Sequence, residues 1–322
     1  MGGQRLAVVT GGAGFIGSHL CEALVSAGWR VRAFDDLSRG CAENLADASG
    51  VELLCGDVRD ARAVARAVAG AEVVFHQAAL ASVPRSLADP LHSQTVNADG
   101  TLQVLEAARR AGVRRVVHAS SSAVYGDAKE LPLRESLLPA PRSPYALQKQ
   151  LGEGYCRLYS ERYGLEAVAL RYFNVFGPRQ DPRGDDAAVV PRFVAACLSG
   201  QRPVVFGDGE QSRDFVSVAD VVRANLRAAE APGAAGWVCN VGSGRSIRLN
   251  ELLGQIQRHL GSGLAPEYRA PRADDVRHSR ACLRDARERL GFGSEVSLEE
   301  GLRRTIAWFE KVRSRQSGGV ST

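Results

Sequence analysis

The stretch Thr-Gly-Gly-Ala-Gly-Phe-Ile-Gly at residues 10–17 decides the fold of this chain. It follows an apolar strand predicted over Arg5–Thr10 and leads directly into an amphipathic helix. Because glycine has no side chain, Gly11 and Gly14 allow a tight turn through which the backbone approaches a pyrophosphate, and Gly17 allows the helix to pack closely on the strand. The N–H groups and the dipole at the start of the helix favour phosphate. The stretch therefore predicts a dinucleotide-binding loop.

An acidic residue at the end of the next strand supports this prediction and selects the dinucleotide. Asp35 ends the strand Arg30–Asp35, where a carboxylate accepts hydrogen bonds from the adenosine ribose and repels a 2′-phosphate. NAD is therefore favoured over NADP, although Arg39 keeps NADP as an alternative. Asp57 follows the third strand and either meets the adenine amino group or belongs to a plain turn; the sequence leaves both interpretations open.

Strand-like and helix-like segments alternate through the first half of the chain. This rhythm is typical of the α/β class, with a doubly wound parallel (Rossmann) sheet that carries helices on both faces. The predicted strands are Arg5–Thr10, Arg30–Asp35, Val51–Gly56, Val73–Gln77, Arg115–Ser120 and Glu166–Tyr172, and the predicted helices are Gly17–Ala27, Ala61–Ala69, Val96–Ala111 and Tyr145–Tyr163.

The regular alternation ends after Gly177, where Pro and Gly become frequent and the helices become shorter. We interpret residues 1–177 as an NAD-binding domain and residues 178–322 as mainly a smaller α/β substrate-binding domain, with the chain returning to the first domain around 213–245. A cleft between the two domains is the expected ligand site. The Ser/Gly-rich tail after Arg313 is expected to be disordered.

The composition argues against several classes of protein. The net charge of +5, from 41 Lys+Arg and 36 Asp+Glu, is mild, and no basic run with interleaved aromatic residues indicates nucleic acid. The seven cysteines form no CxxC or Cys/His cluster, so neither a disulfide framework nor a metal site is expected. No apolar run approaches the roughly 20 residues of a membrane span, and the N-terminus lacks a signal-peptide pattern. We expect a soluble, cytoplasmic protein.

A tyrosine and a lysine four residues apart begin the last helix of the first half. Tyr145 and Lys149 share one face of this helix, and the strand before it ends in Ser120-Ser121-Ser122-Ala123-Val124-Tyr125-Gly126. The pKa of a free tyrosine is about 10, so a neighbouring ammonium group is needed to favour the phenolate near neutral pH. A hydroxyl-bearing strand end beside a Tyr/Lys pair indicates a general acid–base site.

Together these motifs resemble the extended short-chain dehydrogenases/reductases. Within that family the chain is most similar to the nucleotide-sugar 4-epimerases, in particular the bacterial UDP-N-acetylglucosamine 4-epimerases. The resemblance extends from Arg5 to about Phe292. It is carried by Thr10–Gly17, Ser120–Gly126, Tyr145–Lys149, Arg171–Pro178 and Gly207–Phe215.

The resemblance implies NAD-dependent chemistry at C4 of a nucleotide-activated hexose. It implies that Tyr145 removes the proton from the 4-hydroxyl while C4 gives a hydride to NAD, that Ser121 hydrogen-bonds the same oxygen, and that Lys149 favours the Tyr145 phenolate. The 4-keto sugar then turns over and takes the hydride back on its other face, so that NAD stays bound. The implied NAD site comprises Gly11, Gly14, Phe15, Ile16, Gly17, Asp35, Asp57, Val58, Gln77, Ala79, Tyr145 and Lys149.

The two residues after Ser121 distinguish the epimerases from their relatives. In the resemblance, 4,6-dehydratases carry Asp and Glu at this place and UDP-glucuronate decarboxylases carry Glu. This chain has Ser122 and Ala123. Without an acid at either position, elimination lacks its usual base, and epimerisation is the remaining reaction.

The resemblance also implies a site for the sugar nucleotide. Phe206 would stack on the uracil, Arg213 and Arg272 would clamp the pyrophosphate, and Asp275 would accept from the uridine ribose. Ser279 stands at a gatekeeper position where tyrosine would block a 2-acetamido group, so UDP-GlcNAc is the expected substrate. The other implied substrate residues are Ser82, Arg85, Ser122, Asn174, Gln180 and Ala188.

Other readings of the sequence stay open. Ala81, where those enzymes tend to carry glycine, could trim the pocket, and Arg85 could meet a carboxylate, which keeps UDP-glucose and UDP-glucuronate 4-epimerases as alternatives. A catalytically silent NAD-binding sensor is the alternative from another class, although such proteins commonly lose the Tyr/Lys pair. The resemblance further implies a homodimer. Its interface helices would lie around Thr95–Ala111 and Tyr145–Tyr163, with Leu102, Leu105, Leu151 and Leu158 as candidate contacts.

Overall fold

A computed structural model describes residues 4–184, 187–272 and 275–318 of the chain. Its centre is a sheet of seven strands that all run parallel. The strands are β1 (Leu6–Thr10), β2 (Arg30–Asp35), β3 (Val51–Cys55), β4 (Val73–His76), β5 (Arg115–Ser121), β6 (Glu166–Tyr172) and, later in the chain, β11 (Val238–Val241). Their order, β11-β6-β5-β4-β1-β2-β3, confirms the predicted doubly wound Rossmann sheet.

Helices cover both faces of this sheet, so that strands such as β5 are buried along nearly their whole length. The helices of the chain are α1 (Phe15–Ser26), α2 (Ala61–Val68), α3 (Val83–Ala88), α4 (Pro90–Gln94), α5 (Gly100–Arg110), α6 (Pro144–Tyr163), α7 (Val189–Leu198), α8 (Val218–Glu230), α9 (Leu249–Leu260), α10 (Arg284–Leu290) and α11 (Leu298–Gly318). Helices α1, α8 and α10 form one hydrophobic core with the sheet, and α2, α5 and α6 form the other. Among the described helices, none has the length and apolarity to cross a bilayer.

The sequence pattern missed α3 and α4, which precede α5. Each begins at a capping side chain and has proline in its first turn: Ser82 Oγ accepts from Arg85 N at 3.2 Å, and Asp89 Oδ1 accepts from His92 N at 3.0 Å. Helices this short leave no periodic pattern to detect. A π-helical turn at Thr95–Asp99 then leads into α5, where the sequence predicts one continuous helix.

A second, smaller core lies in the later part of the chain. Helices α7, α9 and α11 surround it, with buried residues such as Phe193, Leu252 and Leu302. Three two-stranded ladders border it. They pair β7 (Asn174–Phe176) with β10 (Phe215–Ser217), β9 (Ser212–Arg213) with β12 (Ile247–Arg248), and β8 (Val204–Phe206) with β13 (Glu267–Arg269).

After it has entered the second core, the chain returns to the first sheet. Within 213–245, α8 packs on α1 and β11 pairs with β6, so these two elements belong with the first sheet, whereas β10 borders the second core. Helix α11 continues to Gly318, five residues beyond Arg313, after which the sequence predicts disorder. The buried face of α11, which carries Ile306 and Phe309, anchors the helix to the second core. Residues 319–322 lie outside the described residues.

Substitutions at two glycines in the second core distinguish the effect of helix propensity on stability from the effect of packing. A Cβ on Gly254 would meet the tip of the Arg258 side chain at 3.7 Å, whereas a Cβ on Gly301 would lie 2.6 Å from the Phe176 ring. We expect Gly254→Ala to raise the free energy of unfolding by about 0.5–1 kcal/mol. We expect Gly301→Ala to lower it by about 1–3 kcal/mol through overpacking. Urea unfolding measures both, and shifts of the same sign would contradict the packing of this core.

Candidate active site

The carboxyl ends of the parallel strands meet at one edge of the sheet. The glycine-rich loop follows β1, Asp35 ends β2, Gln77 follows β4 and Ser121 ends β5. The fold therefore collects residues that are far apart in the sequence along a single edge of the sheet.

The glycine-rich loop has a conformation that requires glycine. Gly11 has a φ of 67°, and a Cβ on Gly17 would lie 2.0 Å from the Gly11 carbonyl oxygen. Gly14 is the N-cap of α1, where no side chain caps the helix and no acidic residue lies in the first turn. The first turn of α1, which begins with Phe15 and Ile16, thus presents its backbone N–H groups to the cleft edge, as a pyrophosphate site requires.

Asp35 joins this loop to the loop that follows β2. Its Oδ2 accepts from Ala13 N at 2.9 Å, and its Oδ1 accepts from Leu37 N at 2.9 Å. Burial raises the pKa of Asp35, and the two N–H groups oppose that rise. Because each carboxylate oxygen has a further lone pair, Asp35 can still accept from a ribose hydroxyl.

Other residues predicted for the dinucleotide have partners within the protein. Asp57 pairs with Arg59 at 2.5 Å, and this hydrogen bond lowers the pKa of Asp57. The Gln77 amide donates to Asn225 Oδ1 at 3.1 Å and accepts from the Tyr172 hydroxyl at 3.2 Å. An adenine contact of Asp57 would compete with its ion pair to Arg59. The adenine contact and the plain turn therefore both remain predictions for Asp57. Val58 is buried and Ala79 half-buried beside these residues.

The structure brings the three predicted catalytic residues together where α6 packs on the end of β5. Lys149 is buried, its Nζ donates to the Ala119 carbonyl at 2.7 Å, and it lies 5.9 Å from the centroid of the Tyr145 ring. The Ser121 hydroxyl hydrogen-bonds to the Tyr145 hydroxyl. This arrangement can hold and move a proton at the Tyr145 oxygen.

Burial sets the protonation of these groups. It raises the pKa of Tyr145, against the effect of Ser121, and lowers the pKa of Lys149 to about 8. His76 and His118 are stacked beside Lys149 with ring centroids 5.4 Å apart. Burial and the charge of Lys149 lower the pKa of His76 to about 3 and that of His118 well below its usual value. The Lys149 ammonium therefore faces neutral histidines. The lowered pKa that the sequence predicts for Tyr145 remains a prediction for the protein with NAD bound.

A cavity of about 350 Å³ lies beside the second core, and its lining starts at Asn174, two residues after the end of β6. It is large enough for part of a nucleotide and has both apolar and cationic walls. Its lining includes six of the residues predicted to bind substrate: Asn174, Ala188, Phe206, Arg213, Arg272 and Asp275.

The charged and aromatic side chains of this cavity contact one another. Arg213 pairs with Asp275, and the Arg272 guanidinium lies over the Phe206 ring, 4.3 Å from its centroid. Asp275 also accepts from Gln211 Nε2 at 3.3 Å. An aromatic face beside two guanidinium groups suits a base followed by phosphates.

Three other predicted substrate residues lie on elements next to Tyr145 and Ser121. Helix α3 packs on the start of α6, where Ser86 Oγ accepts from Tyr145 N at 3.2 Å. Ser82 is buried as the N-cap of α3, and Arg85 is exposed on the same helix. Ser122 is half-buried in the turn that follows Ser121.

The last two predicted substrate residues do not line the cavity. Gln180 Nε2 donates to the Val175 carbonyl at 3.1 Å, which holds that side chain against β7. Ser279 is buried, with 7% of its surface exposed, and its hydroxyl has no hydrogen-bond partner within the described residues. Both positions remain predictions for substrate contact.

Comparison with known proteins decides the family. The model of the NAD-dependent epimerase/dehydratase family matches residues 7–242. This chain belongs to that family. The match spans the glycine-rich loop, the Tyr/Lys helix and β11, and the chain is therefore an NAD-dependent enzyme of the epimerase/dehydratase family.

Individual relatives of this epimerase/dehydratase match over nearly their whole length. A UDP-glucose 4-epimerase from Mycolicibacterium smegmatis is 44% identical over 307 residues, which cover 94% of this chain and 97% of the relative. The structure of a UDP-N-acetylglucosamine 4-epimerase from Methanobrevibacter ruminantium, solved with UDP-N-acetylmuramic acid, has a TM-score of 0.92, 41% identity and coverage of 96% and 99%. The structure of a UDP-glucose 4-epimerase from Thermotoga maritima, solved with UDP-glucose, has a TM-score of 0.92, 40% identity and coverage of 96% and 100%.

The residues of this family member fit NAD. The glycine positions leave a cradle that a Cβ would fill, since a Cβ on Gly11 would lie 2.8 Å from Ala78 N. The uncapped start of α1 suits the pyrophosphate, and the Asp35 carboxylate suits a free ribose diol. Within the described residues, no group of three or more His, Cys, Asp or Glu side chains is placed to hold a metal ion.

Two residues of the site were not predicted from the sequence. Arg192 lines the cavity and lies over the Phe206 ring, 5.1 Å from its centroid. It is one of many scattered arginines, so no local pattern distinguishes it. Gly12 packs against β2, because a Cβ there would lie 2.6 Å from Ala33 Cβ. The Gly11-Gly12 pair in the sequence is a pattern that could have indicated this contact.

We expect Lys149→Met to lower the activity of the enzyme and to raise its stability at pH 7. The pKa of Lys149 falls from about 10.4 in an unfolded chain to about 8 in the fold. The folded state thus binds fewer protons between these values, and stability of the parent rises with pH through that window. The variant should lack this rise and be more stable at pH 7 by up to about 3 kcal/mol.

Its turnover should fall by at least about 100-fold, because the ammonium beside Tyr145 is lost. Denaturant unfolding at pH 7 and pH 10, together with turnover at pH 7, measures both effects. A variant that is less stable at pH 7 and still active would contradict the assigned environment of Lys149.

Proposed function

We propose that this enzyme catalyses the reversible C4 epimerisation of a UDP-hexose, with UDP-GlcNAc and UDP-GalNAc as its substrate pair, through a transient 4-keto sugar. The observation that carries the proposal is the grouping of Tyr145, Lys149 and Ser121 at the end of β5. Ser121 pairs there with Tyr172 of β6, and two residues later Asn174 lines an aromatic and cationic cavity. In this proposal the first group carries out the chemistry at the sugar carbon and the cavity binds the nucleotide.

Tyr145 acts as the acid–base in this proposal. Its hydroxyl oxygen takes the proton of the sugar 4-hydroxyl, and Ser121 hydrogen-bonds the same oxygen and relays the proton. The buried Lys149 ammonium stabilises the phenolate. When bound, NAD supplies the acceptor for the C4 hydride and the donor for its return.

The turn after Ser121 favours epimerisation over elimination. Removal of a C5 proton with loss of water needs a carboxylic acid close to the catalytic hydroxyl. The turn carries Ser122 and Ala123 at this place. Proton transfer at the sugar oxygen is therefore the chemistry that this turn supports.

The cavity residues hold the nucleotide while the sugar turns over. Phe206 offers its ring to the uracil, and Arg213 and Arg272 offer paired N–H groups to the phosphates. Asp275, which holds Arg213 in place, accepts from the ribose. Anchoring of the nucleotide alone leaves the hexose able to present either face.

Small side chains support the choice of an N-acetylated sugar. Ala188 lines the cavity, and Ser279 is a small buried residue. The resemblance implies that a tyrosine at the position of Ser279 would block a 2-acetamido group. UDP-glucose is the second candidate, because the relative from M. smegmatis that is 44% identical is a UDP-glucose 4-epimerase.

Product analysis tests the proposal directly. The purified enzyme is incubated with UDP-GlcNAc, UDP-glucose or UDP-glucuronate, and products are identified by proton NMR. We expect UDP-GalNAc from UDP-GlcNAc at the highest kcat/KM. Faster conversion of UDP-glucose or UDP-glucuronate would replace the substrate assignment, and no C4 inversion of any of the three would overturn the proposed reaction.

We expect Ser279→Tyr to act as a steric filter. A ring beside C2 costs about 1–3 kcal/mol of overpacking against an acetamide, which lowers kcat/KM for UDP-GlcNAc by roughly 5- to 150-fold. Turnover of UDP-glucose should survive, because a 2-hydroxyl needs no such room. Ser279→Ala is the matched control and should retain both activities. Equal loss on both sugars in Ser279→Tyr would remove Ser279 as the selector.

Tyr145→Phe tests the chemical step, whereas Ser279→Tyr tests the steric fit of the sugar. Loss of the acid–base should lower turnover of both sugars by roughly 100- to 10,000-fold. UDP binding, measured by calorimetry, should be retained because the cavity is unchanged.

We also propose that the enzyme is a homodimer through α6 and its neighbours. Leu151 and Leu158 are exposed on α6, together with Leu147, whereas Leu105 is buried in the core and cannot supply the interface. A closed two-fold pairing would cover this apolar face. Light scattering at micromolar concentration should give twice the mass of the chain.

A further inference from the structure

A buried ion pair lies directly behind the catalytic residues. The Glu153 carboxylate on α6 accepts two hydrogen bonds from Arg171 on β6, from Nε at 2.8 Å and from Nη2 at 2.7 Å. The Ser120 hydroxyl on β5 donates to Glu153 Oε1 at 2.5 Å. All three residues are buried. We call Ser120, Glu153 and Arg171 the Glu153 cluster.

The Glu153 cluster adjoins the catalytic residues on both sides. Ser120 precedes Ser121 on β5, and Glu153 follows Lys149 by one turn on α6. Lys149 in turn donates to the carbonyl of Ala119. Two successive turns of α6 thus bind two successive residues of β5, and Tyr145 occupies the turn before them.

Bidentate bonding explains why a charged pair suits this place. The two parallel N–H groups of Arg171 fix the plane of the carboxylate, so the Ser120 hydroxyl meets an acceptor that cannot rotate. Arg171 is itself packed on the Tyr125 ring, 4.6 Å from its centroid, and the Tyr125 hydroxyl donates to Asn240 at 2.7 Å. A buried ion pair is a weak source of net stability, and fixed geometry is its better-supported use.

We propose that Glu153 is a positioning residue, which acts through Ser120 to fix the register of α6 against the end of β5. The register sets the distance between Ser121 on the strand and Tyr145 with Lys149 on the helix. The link from this register to turnover rests on the proposed function; the link to the surroundings of Lys149 does not.

Ser120→Ala tests the tether without leaving a buried charge unpaired, because Glu153 keeps Arg171. Ser120→Thr restores the hydroxyl. Ser160→Ala is the matched control on the same helix, since Ser160 Oγ accepts from Ala167 N at 3.0 Å and thus tethers α6 to β6 away from the site. All four proteins are compared with NAD bound.

The first readout is the pKa of Lys149 by carbon-13 NMR of labelled lysine. The chain contains three lysines, Lys129, Lys149 and Lys311, so the buried one is resolved by its low pKa. His76, His118 and Tyr145 face Lys149 and are unchanged in every variant. We expect Ser120→Ala to raise the pKa of Lys149 by about 0.5 or more as the site loosens, with no shift in Ser120→Thr or Ser160→Ala.

The second readout is turnover of the UDP-sugar. We expect Ser120→Ala to lower kcat by roughly 10-fold or more with KM within about twofold, because misplacement affects chemistry and leaves the nucleotide cavity intact. Ser160→Ala should lower the melting temperature with kcat unchanged.

An unchanged Lys149 pKa in Ser120→Ala, or an equal shift in Ser160→Ala, overturns the positioning role. An unchanged kcat beside a shifted pKa also overturns it. If the parent enzyme inverts no sugar at C4, the proposed function fails, and the pKa comparison alone decides whether the Glu153 cluster sets the register.

Discussion

Every strand of the central sheet runs in the same direction, and the site depends on this constraint. The residues that end or follow the strands, among them Gly11, Asp35 and Ser121, meet at one edge only because the strands are parallel. Helix α6 brings Tyr145 and Lys149 to the same edge because it packs on β5. The register between one strand and one helix thus determines whether a hydroxyl, a phenol and an ammonium group act together.

A second set of contacts, made by Asp214, joins distant segments beside the cavity. Asp214 is fully buried, and its carboxylate accepts from Ser243 N at 2.7 Å and from Ala281 N at 2.9 Å. Its carbonyl accepts from Asn174 N at 3.0 Å. One residue next to Arg213 thereby joins β7, the segment after β11 and the segment that carries Ser279. Asn174 and Arg213 line the cavity, so Asp214 connects this wall to two segments that lie outside the lining.

Much of the first sheet could be predicted because its cause is local. Buried parallel strands are short apolar runs, and glycine marks the turn after β1, so the predicted strands agree with the observed ones to within one or two residues. Helices α3 and α4 were not predicted because they depend on N-caps and prolines and have no apolar periodicity. Arg192 was not predicted because it reaches the Phe206 ring only through the packing of α7 against β8, two separate elements.

The sequence by itself determined the glycine-rich loop after β1, the acid at the end of β2 and the shared face of Tyr145 and Lys149, since each depends on spacing within one or two neighbouring elements. The tertiary structure alone decided the protonation of Lys149, the partners of Asp57 and Gln77, and the pairing of Arg213 with Asp275, which are 62 residues apart. Burial and long-range pairing are properties of the packed chain. A pKa or an ion pair of this kind exists only once distant segments have excluded water from the same place.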